Sequence, residues 1–467
     1  VVVSFSLDFL GEVGVRMSRL WVGFGFFVST ALFASVPAAI QQKPLITAQE
    51  IVNWVSSDSS KPIRTVEDLL AKLPETYRRY FVLQYESRSN HSSNETHPRI
   101  IFFGPDAKLL FGASGLPSDP HYQTVEMIEY EPQTASYSFY RIHFQENEPA
   151  KVEVNPNDCL RCHGGDPKPN WEPYSLWPGA FGSLHDRILP ETKEFHSFES
   201  FLKSYKEDSR YRFLPGPFHV TSEDAFGKKS HYLSNAGVGP GSTLSILLGF
   251  LNRDRIAKKL VASESHLRYR PALTAAMLGC SQPIESFLPS DLRANHQESY
   301  ETVLKETEAL MEKDFNRKIH ALTEFLEVNE EFILPHSDRF GFRNTEVERI
   351  AKLRYLLQKR KNPLGFDRWA LSISKTSLDF NDGVSGLENL IGHYLQLAYE
   401  ENDPLLRSIS INQVSFPITS LSENAHSHHS GQPDPLAYSL ETFSLKEAPV
   451  TACELLTKEA KAISLTK

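Results

Sequence analysis

Cys159-Leu-Arg-Cys-His163 sets two thiols and an imidazole in one short run, in a chain of 467 residues with 4 cysteines and 17 histidines. Thiols at i and i+3 fall on one side of a helical turn, and the histidine follows directly. Three chemistries use such a group. Cys-x-x-Cys-His is the spacing at which both sulfurs bond the vinyl groups of one haem and the histidine ligates its iron. A dithiol redox pair uses Cys-x-x-Cys at a helix start after a strand. A structural zinc site needs two more ligands, which Cys280 and Cys453 could supply only from remote sequence. Covalent haem is the expected chemistry, because it alone requires both cysteines and the histidine at this spacing.

Cys159-Leu-Arg-Cys162-His163-Gly164 resembles the haem-binding segment of c-type cytochromes. The resemblance implies thioether bonds at Cys159 and Cys162, proximal iron ligation by His163, and one haem c as cofactor. It covers the motif and not the whole chain. Small cytochromes c carry the motif near the N-terminus of a compact helical domain, with a distal methionine further along. Here a strand-rich segment comes first, a long helical portion follows, and none of Met127, Met277 or Met311 stands in a ligand loop. The chain therefore looks like a larger, exported single-haem protein of bacterial type. The order of sheet and then motif is also similar, on topology alone, to haem c sensor domains with a PAS-like fold.

The run after the motif is rich in proline, glycine and aromatic residues. Trp171, Tyr174, Trp177 and Phe181 are expected to wall a porphyrin, since flat apolar rings on stiff turns suit one; the alternative is general core packing. The sixth iron position decides function. A second strong ligand closes the haem for electron transfer, and an open position admits peroxide or gas. His185 is the nearest distal candidate, with His196, His219, His231 and Met127 behind it. Electron transfer is the first expectation, because it needs nothing beyond the haem ligands. A peroxidase-like enzyme or a haem-based redox or gas sensor is the alternative. His426, His428 and His429 read as solvated side chains in a polar loop. No phosphate loop, EF-hand, Ser-His-Asp signature or HExxH is found.

Location agrees with haem attachment, which takes place after export. Met17-Ser-Arg19 precedes an uncharged run from Leu20 to Val36, and Val36-Pro-Ala38 ends it with small residues. This is the form of a secretory signal cut near Ala38, with residues 1–16 upstream of a plausible start. A periplasmic or otherwise exported protein is expected; if residues 20–36 stay uncleaved they anchor it to the inner membrane. The expected partners are a periplasmic redox protein and the cytochrome c maturation machinery. A net charge of −9 lacks the basic surplus of a nucleic-acid binder, so no nucleic-acid partner is expected. In an oxidising compartment Cys280 and Cys453 either close a disulfide or stay as buried thiols.

The elements that must position the motif point to an α+β fold: a small antiparallel sheet before the motif and a largely helical C-terminal half. The expected parts are a signal and extension (1–42), a haem-bearing domain (43–235), a helical domain (236–406) and a loop-rich segment ending in a short helix (407–467). Residues 45–85 read as helical, with capping boxes at Thr47–Glu50 and Thr65–Asp68. The alternation across 98–155 reads as strands. Leu244, Leu247, Leu248 and Leu251 make one buried face of a helix capped by Ser242.

Overall fold

Thr47 and Thr65 start the first two helices as their sequence contexts predict. The Thr47 hydroxyl accepts the Glu50 N–H at 3.1 Å, and the Glu50 carboxylate accepts the Thr47 N–H at 2.9 Å. Thr65 and Asp68 repeat the exchange at 3.0 and 3.1 Å. These caps open α1 (Ala48–Val55) and α2 (Val66–Lys72), and the short α3 (Glu75–Arg78) follows. The structure is a computed structural model. It describes residues 46–57, 62–87, 89, 91–145, 148–163, 167–169, 179–182, 188, 192–214, 240–293, 299–310, 312, 344–357, 386–409, 411–417, 439–445 and 450–465.

Six strands then form an antiparallel sheet in simple sequence order: β1 (Phe81–Gln84), β2 (Arg99–Phe102), β3 (Leu109–Ala113), β4 (Thr124–Glu131), β5 (Ser136–Gln145) and β6 (Glu148–Val154). β1 lies inside the stretch that sequence patterning assigns to helix. Its FVLQ run is buried throughout, so it shows no alternation to reveal it.

Along the strands successive side chains go to opposite faces. Phe81, Leu83, Ile100, Phe102, Phe111, Val125, Met127 and Ile142 enter one core with α1, α2 and α5 (Lys193–Ser204). Val82, Leu110, Tyr130, Tyr137 and Phe139 enter a second core on the other face, against Leu244, Leu247, Leu248 and Leu251. Those four leucines belong to α6 (Pro240–Ala262), and all are buried, as their spacing predicts. The helix starts at Pro240 rather than after Ser242, a position where the missing proline N–H costs nothing.

A third core lies in the helical half. It is built by α7 (His266–Leu278) and the helices Asn344–Leu357, Gly386–Ala398 and Val450–Leu465. Gly279 closes α7 with φ 74°, the left-handed conformation open to glycine, and Cys280 follows in a disulfide with Cys453. The fold is thus α+β, with the sheet ahead of the motif and helices dominating afterwards. α6 packs across the division expected near residue 236, because it lies on the sheet. Residues 39–467 form one compact unit. In the segment expected to be loop, Ile411–Pro417 and Ser439–Leu445 pair as antiparallel strands. The final helix has 16 residues. No helix among the described residues is long and apolar enough to cross a membrane. The stretch expected to be extension and signal, residues 1–42, lies outside the described residues.

Candidate functional site

The motif forms a helix of its own. α4 (Asn157–His163) begins three residues after β6 ends at Val154. Asn155 makes the turn with φ 49°, and its side chain is tied to β5: Phe139 N–H donates to Asn155 Oδ1 at 2.9 Å, and Asn155 N–H donates to Phe139 O at 2.7 Å. Asparagine is among the few residues that tolerate this backbone region. On α4 the two cysteines stand at i and i+3, as one helical turn requires.

The motif's side chains meet two neighbouring positions on one face of β5. Phe139 and Arg141 are two residues apart and so point the same way. The His163 ring lies 4.6 Å from the Phe139 ring, centroid to centroid. Arg141 Nη2 donates to Asp158 Oδ2 at 2.7 Å and lies 3.4 Å from Cys159 Sγ. Cys159 and Leu160 pack against the core that includes Phe139, Tyr137 and the α6 leucines. Cys162 is exposed, and neither motif cysteine is in a disulfide.

His163 Nδ1 lies 2.7 Å from the backbone oxygen of Lys168. A carbonyl can only accept, so Nδ1 carries the proton and donates. In the neutral ring, Nε2 then holds the lone pair. Burial pushes the imidazole below its ordinary value, which favours this neutral form. A ligating histidine needs this arrangement: one nitrogen fixed by a backbone carbonyl, the other presented to a metal. The donor set therefore suits one covalent haem, with thiols at Cys159 and Cys162 and an oriented imidazole at His163.

The same geometry bears on the other two chemistries. Burial pushes the Cys159 thiol up to about 11, with Arg141 opposing, which is the reverse of what an attacking redox thiol needs. Cys280 and Cys453 are bonded to each other and so are not donors for a zinc site. Among the described residues no group of three or more His, Cys, Asp or Glu is placed to hold a metal ion; a haem iron needs only one or two protein ligands.

The remaining sequence candidates separate. Trp171, Tyr174, Trp177, His185, His219 and His231 lie outside the described residues. Phe181 is buried, with ring neighbours Tyr85, Phe198 and Phe201 in the core on the opposite face of the sheet from Phe139. Met127 is buried in that same core, and His196 is exposed on α5.

Sequence reasoning missed a rung of charge that crosses the sheet to the motif. Arg99 on β2 reaches Glu126 on β4 at 3.3 Å over Gly112 of β3, where a Cβ would meet the guanidinium at 2.7 Å. Glu126 also faces His91 at 3.1 Å and Arg141 at 3.2 Å. Arg141 pairs in register with Glu126 and with Glu153 of β6, whose carboxylate is 3.8 Å away. Burial would raise Glu126, but His91, Arg99 and Arg141 outweigh it and hold the carboxyl far below the usual range. Arg99, Glu126 and Arg141 lie on three different strands, and no spacing in the sequence ties them together. No family model, curated protein or solved structure matches this chain.

Proposed function

We propose that this chain is an exported single-haem c-type cytochrome that transfers electrons between periplasmic partners. The observation that carries the reading is the His163 ring, with Nδ1–H donated to Lys168 O and Nε2 left as a ligand. It stands on the same turn that presents Cys159 and Cys162. Bound haem would supply a one-electron iron couple. The chain would hold it by two thioethers and His163, and Phe139 would buttress the imidazole. The disulfide between Cys280 and Cys453 further supports the reading, since such bonds persist in oxidising compartments.

The test is to co-express the full chain with a cytochrome c maturation system and record the visible spectrum oxidised, reduced, and reduced with CO. The expected result is a haem band that survives denaturation, sharp reduced peaks and no shift with CO. A large CO shift would replace electron transfer with peroxidase-like or sensor chemistry at an open iron. Absence of covalent haem would overturn the reading and return Cys159 and Cys162 to thiol chemistry.

A further inference from the structure

The two motif thiols sit in different surroundings. Cys162 is exposed on the outer side of α4, whereas Cys159 is partly buried between the α6-side core and the Arg141 guanidinium. Arg141 is itself over-determined. Its residue is 8% exposed, it is flanked in register by Glu126 and Glu153, and Arg99 holds Glu126 from the far side. A guanidinium fixed by the sheet offers a planar fork of donors in a set direction. One nitrogen of that fork, Nη2, reaches α4, at Asp158 and at the sulfur next to it.

We propose that Arg141 is the positioning residue that presents the Cys159 thiol for its thioether bond, by pinning α4 to the sheet through Asp158. The inference rests on the haem reading above and deepens it. In the step served, the Cys159 S–H adds across a vinyl C=C of the porphyrin. Sulfur bonds the carbon next to the ring, the hydrogen ends on the terminal carbon, and no electron is gained or lost. Vinyl and propionate groups occupy opposite edges of a porphyrin. A guanidinium 3.4 Å from a vinyl-bonding sulfur therefore serves the thiol rather than a carboxylate of the haem. Loss of Arg141 removes a charge-assisted anchor from one end of the motif only. Attachment at Cys159 should fall while attachment at Cys162 persists. A general loss of fold would lower both together.

The experiment uses the full chain matured in cells as wild type, Arg141→Met, Arg141→Lys and Asp158→Asn. Occupancy at each cysteine is read by peptide mass and by alkylation of unattached thiols. The pyridine haemochrome spectrum separately distinguishes one thioether from two. The expected result is that Arg141→Met and Asp158→Asn lower Cys159 occupancy about tenfold relative to Cys162, the effect of losing one charge-assisted hydrogen bond. Arg141→Lys should recover part of it, since it keeps the charge without the fork. Both thioethers at the wild-type ratio in Arg141→Met and Asp158→Asn would overturn the proposal, and so would equal loss at both cysteines in Asp158→Asn. If Arg141→Met fails to fold, Asp158→Asn decides, because its side chain is 38% exposed at the helix start. A wild-type chain without covalent haem would overturn the haem reading and the clamp together; intact wild-type haem with unbiased variants would overturn the clamp alone.

Discussion

Asn155 carries more of the motif's geometry than its place outside the motif suggests. It joins β6 to α4 in a left-handed conformation and exchanges two hydrogen bonds with Phe139, the residue whose ring meets His163. Backbone and side chain contribute separately, so two substitutions tell them apart. Asn155→Gly keeps the conformation and loses the acceptor, at a cost of about 1 kcal/mol. Asn155→Ala loses both, at about 2 kcal/mol. Denaturant unfolding of the two variants should show that difference; equal losses would assign the whole effect to the side-chain bond. His163 makes the same point about what types alone convey. Its type and place in Cys-x-x-Cys-His were legible, but its tautomer depends on Lys168 O, which only the fold sets beside Nδ1.

At the scale of elements, the sheet works because its two faces answer different demands. One face buries an apolar and aromatic core, and the other seats α6 and α4. α6 is fastened by a buried polar cluster as well as by leucines. Asp254 on α6 accepts from Tyr130 Oη of β4 at 2.6 Å, from Lys258 Nζ at 2.8 Å and from His393 Nε2 at 3.0 Å. Burial alone would raise this carboxyl, but the three donors outweigh it and hold it at about 2. Burial pushes His393 down, so it donates as a neutral ring while Lys258 supplies the countercharge.

The sign of the pH dependence follows. A carboxyl held below its unfolded value stabilises the fold above about pH 4 and loses that contribution as pH falls toward about 2. Asp254→Asn should cost about 3 kcal/mol at neutral pH, since it leaves buried donors without their anion. The gap to wild type should narrow below about pH 4. Unfolding curves at neutral pH and near pH 3 check this, and a gap of constant size would contradict it.

At the scale of the whole molecule, the Cys280–Cys453 bond ties the end of α7 to the last helix across a sequence separation of 173 residues. On chain-entropy grounds a loop that long is worth up to about 5 kcal/mol. The double variant Cys280→Ser/Cys453→Ser should unfold at a markedly lower temperature, with the sheet and motif retained at low temperature. Reduction of the wild type should give the same shift. Alkylation of the unfolded wild type without reductant should label neither cysteine, and labelling of both would exclude the bridge.

The amino-acid sequence by itself determined whatever is local. The capping boxes at Thr47 and Thr65, the leucine face of α6, the strands of 98–155 and the motif's one-turn spacing follow from hydrogen bonds or periodicities spanning a few residues. The sequence also left Cys280 and Cys453 as a bridge, as two buried thiols or as remote zinc ligands, and the fold makes them a bridge. Only tertiary structure decided what depends on distant partners. Buried on both faces, β1 has no alternation, and the pair Ile411–Pro417 and Ser439–Leu445 exists through its mutual register. The charge rung from Arg99 to Arg141 forms only when four strands align, and Asp158 completes it only when Asn155 turns α4 back onto β5. Electrostatic and packing partners far apart in sequence leave no period to read, so the groups that aim the motif emerged only from the fold.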